Sequence, residues 1–130
     1  LYVVHPEAPM RALLSLALLP LLYSPAHSQA MTGDQIKANF FNGKPFVANS
    51  TTRQRFTMVF TPDGKATREP VGKPEQKVSG TWKVVKEGFC TSWKQGQSAT
   101  CYRLVPNTSV ENKWSVMKGA VTIASWTKPE

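Results

Sequence analysis

Over 130 residues the chain carries 16 Lys+Arg against 8 Asp+Glu, a net charge of +8, with 41% apolar and 18% charged residues. That length fits one domain, and the balance excludes both a disordered chain and a polytopic membrane protein. The composition is also divided: eight of the nine leucines and both histidines precede residue 30, whereas all eight glycines, all four tryptophans and both cysteines follow it.

The first 30 residues read as an N-terminal extension plus a cleaved signal peptide running from Met10 to Ala30. Met10-Arg11 supplies a short basic start, residues 12–22 an apolar run, and Ser28-Gln29-Ala30 a small-x-small cleavage pattern, with cleavage after Ser28 as the alternative. A membrane span needs about 20 apolar residues, more than this run provides. No Cys sits just after the run to carry a lipid anchor. The expected product is therefore periplasmic or secreted, with no transmembrane segment in the mature chain. The residues before Met10 are odd for a signal, so either Leu1 or Met10 is the true start.

Residues 31–130 are expected to form a single β-barrel domain. Arg11 and Glu7 are the only charges before residue 31, so the +8 belongs to these 100 residues. They hold one Leu against ten Val, twelve Thr and eleven aromatics, a composition that favours strands. One helix is predicted first, near 33–41. Thr32 and Gln35 form a capping box, Ile36 and Phe40 share a face, and Gly43 is placed to stop it.

The period then changes to two. Phe56, Met58 and Phe60 alternate with Arg55, Thr57 and Val59. Pro62-Asp63-Gly64 turns the chain into a weaker strand near 65–71, and Gly72-Lys73-Pro74 turns it again. Val78, Gly80, Trp82 and Val84 share the next strand's face. Further strands are predicted at 89–94, 98–105, 110–117 and 120–128, with a short one at 45–48. This makes an antiparallel up-and-down meander of about eight strands, which closes into a small barrel because closure removes the sheet edges. A β-sandwich is the second architecture.

Cys90 and Cys101 flank the Gln95-Gly96 turn. If Trp93 pairs with Ser98, the same register sets the two cysteines opposite each other, where a disulfide can form in an oxidising compartment. Ten intervening residues are not a C-x-x-C redox motif. That register also turns Phe89, Trp93, Tyr102 and Leu104 to the face away from the sulfurs. With Trp82, Trp114 and Trp126 they form either a filled core or the wall of a ligand cavity. The tentative ligand-binding set is Trp82, Trp93, Tyr102, Trp114 and Trp126.

The segments Ser79-Gly80-Thr81-Trp82, Gly88-Phe89-Cys90-Thr91-Ser92-Trp93 and Cys101-Tyr102-Arg103 resemble a family of small secreted bacterial proteins of unknown function. Their pattern is G-x-W, then C-x-x-W, then C-Y. Ile36, Phe40, Gly43 and Phe60-Thr61-Pro62-Asp63-Gly64 match its earlier parts. The resemblance implies a lipocalin-like barrel and carries no catalytic residues over.

Several chemistries are excluded. No His remains after residue 30 to serve a nucleophile, and two Cys without His cannot make a four-ligand zinc site. The carboxylates sit mainly at turns, at the helix start or at the terminus. No phosphate-binding loop or EF-hand is present. The expectation is a non-catalytic protein with no cofactor and no metal. The basic residues, Arg68 among them, are spread over the chain and read as a solvated exterior. The expected partner is a small apolar or aromatic ligand inside the barrel. An anionic envelope surface or a protein partner on its basic exterior is the alternative, and export argues against nucleic acid.

Overall fold

The computed structural model describes residues 29–129; the expected leader, up to residue 28, and Glu130 lie outside the described residues. One helix, α1 (Gly33–Phe40), precedes eight strands: β1 (Phe46–Ser50), β2 (Arg55–Phe60), β3 (Lys65–Pro70), β4 (Val78–Val85), β5 (Gly88–Ser92), β6 (Thr100–Pro106), β7 (Lys113–Lys118) and β8 (Val121–Thr127). Each strand pairs antiparallel with its neighbours in the chain, and β1 pairs with β8, so the sheet is a closed barrel. The meander expected from the spacing of turns is thus the observed architecture.

Antiparallel alternation sorts the connections onto two ends. The loops 51–54, 71–77, 93–99 and 119–120 lie at one end. The turns 61–64 and 86–87, the loop 107–112 and helix α1 lie at the other.

Helix α1 closes its end. The Thr32 hydroxyl accepts from the Gln35 N–H, and the Gln35 side chain accepts from the Thr32 N–H, completing the predicted capping box. Ile36 and Phe40 are fully buried, as their spacing predicts. Phe41, the C-cap, is buried beside them and stacks on Phe60 at 4.4 Å. Phe40 meets Phe46 and Trp114 edge-on at 5.2 and 4.8 Å. The Gly43 N–H donates to the Phe60 carbonyl, at a φ of 84°, and ties the helix exit to β2. At the other end of α1, the Gly33 N–H donates to the Lys86 carbonyl. A Cβ on Gly33 would overlap the Val85 carbonyl oxygen, so only glycine lets the helix start sit against the β4–β5 turn. Lys128, just past β8, lays its Nζ over the Phe40 ring at 4.8 Å and donates to Asn39. Burial lowers its pKa, with Lys44 adding to the effect.

The disulfide joins Cys90 to Cys101, which oppose each other across β5 and β6 as the register argument requires. Between them the hairpin differs from expectation. The ladder ends at Thr91 and Thr100, so residues 93–99 form a wider loop than the four residues expected. Strand β7 also starts later, at Lys113, because Asn112 takes a positive φ of 62° and residues 107–112 form the preceding loop.

Candidate ligand-binding site

The aromatic core fills the closed end and stops short of the open one. Trp126, paired with Ala48 on β1 and Trp114 on β7, reaches across the barrel. Its ring lies 4.6 Å from Phe46 and 4.9 Å from Phe89. Above it is a cavity of about 170 Å³. Phe60, Phe89 and Trp126 form its floor, and Ala48, Met58 and Val116 line its sides. A register shift at Val116/Met117 leaves Ile123 as an extra residue on β8, so Ile123 and Ala124 both line the cavity. Phe56, Trp93 and Tyr102 stand nearer the rim, and Ser50, Thr91 and Tyr102 contribute hydroxyls.

The volume decides what fits. An apolar cavity of about 150 Å³ holds one benzene ring, whereas drug-sized ligands occupy about 300–1,000 Å³. The space therefore holds a single ring or an equally compact group, and a long acyl chain or a porphyrin would extend beyond it.

The five aromatic residues expected to form a ligand wall divide between the two ends. Trp93, Tyr102 and Trp126 line the cavity. Trp82 and Trp114 do not. The Trp82 indole donates to the Thr61 carbonyl at 2.9 Å and its ring packs on Phe41 at 4.6 Å, whereas Trp114 packs on Phe40. Parity faces both inward, but their heights on β4 and β7 place them against the helix.

The residue that sequence reasoning missed is Arg68. It was expected on the solvated exterior, yet on β3 it shares a face with Ala66 and opposes Met58, both buried in the interior. Its guanidinium is half-buried over the Trp93 ring at 4.6 Å, with Phe56 at 5.9 Å, and lines the cavity. Gly80 makes this possible, since a Cβ there would stand 2.7 Å from the Trp93 ring. Without one, Trp93 lies across β4 and turns a face to Arg68. Burial lowers the Arg68 pKa, and among the described residues the titratable group that bears on it is the Tyr102 phenol, with no carboxylate. The signal was present in parity: Ala66, Arg68 and Pro70 alternate with Lys65, Thr67 and Glu69.

Arg68 also borders a rim cleft of about 350 Å³ that includes Arg55 and Lys73. Neither this lining nor that of the cavity contains an Asp or Glu. A larger depression, about 700 Å³, lies outside the barrel under the β5–β6 loop and includes Lys65, Lys83 and Lys94. It is somewhat more open to solvent than the internal cavity and shares Trp93 with it.

Asp63 has a local explanation. Its carboxylate accepts from the Thr61 hydroxyl and the Lys65 N–H in the β2–β3 turn, and these bonds, the Thr61 one foremost, hold its pKa below the ordinary value. Among the described residues no three His, Cys, Asp or Glu side chains gather to hold a metal ion. No helix among them is long and apolar enough to cross a membrane. Compared with protein-family models, curated proteins and solved structures, the chain finds no match.

Proposed function

We propose that this is an exported, non-catalytic binding protein that takes one small apolar or aromatic molecule into the open end of its barrel. The observation that carries this reading is the cavity of about 170 Å³, floored by Trp126, lined mostly by apolar side chains and open at the barrel mouth. A void of that size in an otherwise close-packed interior forfeits contacts, and a ligand restores them. Export to the periplasm or beyond rests on the leader. The resemblance to small secreted bacterial proteins with lipocalin-like barrels belongs to the same reading, which requires no cofactor.

The test is an NMR titration of the mature chain with neutral one-ring compounds and short branched alkanols, following the indole signals. Saturable shifts at Trp93 and Trp126, with little change at Trp82 and Trp114, are expected. Shifts that never saturate, or that map to the outer face around Lys83, would overturn the reading.

A second reading rests on Lys65, Lys83 and Lys94 around the outer depression. There the basic exterior engages an anionic envelope surface. Binding to vesicles rich in anionic lipid should then fall steeply with salt.

A further inference from the structure

We infer that the ligand is an organic anion: an apolar body no larger than one ring, carrying a carboxylate that Arg68 receives at the cavity rim. This inference rests on the cavity-binding reading above and names the chemical class of its ligand.

A guanidinium held over an indole by cation–π attraction keeps N–H donors for other partners. The Arg68 guanidinium carbon lies over the Trp93 ring, 4.6 Å from its centroid. Burial and then the Tyr102 phenol bear on its ionisation. No carboxylate of the cavity or cleft lining competes for its donors, which are left to solvent or to a ligand. The planar fork matches a carboxylate in two parallel bonds. Partial burial strengthens that pairing relative to one in open water.

The surroundings select sign and size. Arg55 and Lys73 stand on the rim cleft that Arg68 shares, so the approach to the cavity is positive. The cleft and cavity linings contain no Asp or Glu to neutralise it. Below the guanidinium the lining is mostly apolar, with Thr91 and Tyr102 offering hydroxyls. A free inorganic anion would meet the charge and leave the cavity unfilled. A neutral ring would fill the cavity and leave the fork unmet. A compact ring carboxylate does both.

Benzoate and benzamide have nearly the same shape and differ in charge, so they separate these contributions. Dissociation constants for both, and for inorganic phosphate, should be measured by NMR on the mature chain and on Arg68→Gln and Arg68→Lys. Charge-assisted hydrogen bonds predict benzoate binding at least about tenfold tighter than benzamide. The preference should vanish in Arg68→Gln and persist in part in Arg68→Lys, and phosphate should bind more weakly than benzoate. Thermal melts confirm that each variant folds; if Arg68→Gln does not, a reduced preference in Arg68→Lys supports the role of Arg68 and an undiminished one overturns it. Equal affinity for benzoate and benzamide would overturn the anion assignment and leave cavity binding standing. A benzoate preference retained in Arg68→Gln would overturn the role of Arg68. Phosphate binding as tightly as benzoate would reduce the site to a surface anion cluster and overturn the inference. If neither ring compound perturbs Trp93 or Trp126, both the inference and the reading beneath it fail.

Discussion

The two ends of the barrel are built from the same strands and do opposite things with their aromatic residues. At the closed end, Phe40 and Phe41 enter from α1 and meet Phe46, Phe60, Trp82 and Trp114, so rings pack against rings. At the open end no α-helix enters among the described residues. The interior side chains there include Ser50, Thr91 and Arg68, and a void remains. An eight-stranded barrel is just wide enough to be filled by its side chains or to hold one small ligand. This barrel does each over half its height. The helix makes the difference, because strands alone supply too few large inward residues to fill both ends.

The contrast can be broken most forcefully at the closed end. Phe41→Ala removes a ring that touches Phe60, Trp82 and Phe89, and should cost about 3–5 kcal/mol in chemical denaturation. That is a large part of the stability expected for a domain of this size. The double variant Cys90→Ser/Cys101→Ser should lose about 3 kcal/mol, mostly through a freer unfolded chain, with the cavity retained. An unchanged melting temperature on reduction would remove the disulfide from the account.

At the open end the same measurements should move little. Ala124→Leu pushes apolar volume into the cavity, so its cost should fall below the ~1–3 kcal/mol that the same insertion has in a packed core. Ring compounds should nevertheless lose their saturable effect on the Trp126 signal. A stability loss as large as that of Phe41→Ala would mean that the cavity region is packed as tightly as the helix end.

The smallest effect is expected at Asp63, an exposed turn residue at the closed end. Its carboxyl has a lowered pKa in the folded chain because the Thr61 hydroxyl and then the Lys65 N–H bond the charged form. Its contribution to stability is therefore present above the ordinary aspartate value and is lost as pH falls through the depressed one. Asp63→Asn should flatten the acid limb of the melting curve slightly below about pH 4, the ordinary aspartate range. An acid limb identical to wild type would count against the turn's hydrogen bonds.

Much of this architecture is written locally. The Thr32–Gln35 box, the Phe56-Met58-Phe60 alternation and the Asp63-Gly64 turn each involve neighbours in the chain, so their spacing alone predicts them. The disulfide register could also be worked out, because an antiparallel hairpin keeps a constant sum of paired residue numbers. Arg68 was harder to place. In Lys65-Ala66-Thr67-Arg68-Glu69-Pro70 the inward set is small, charged and cyclic, so no apolar stripe marks the inner face. Phe41 was equally hidden. It lies at the helix boundary, where the exit of the chain rather than helical periodicity directs its ring.

The sequence by itself determined the meander of about eight strands, the single capped helix, the opposed cysteines and the shared face of Phe89, Trp93, Tyr102 and Leu104. Each follows from period, turn chemistry or register over short spans. Only the tertiary structure decided which end α1 closes, and hence which tryptophans serve the core and which the cavity. It alone turned Arg68 from a surface charge into a half-buried guanidinium on Trp93. The physical reason is closure. Once β1 meets β8, every inward residue competes for one narrow interior, and its height along the barrel decides whether it meets the helix or the open mouth.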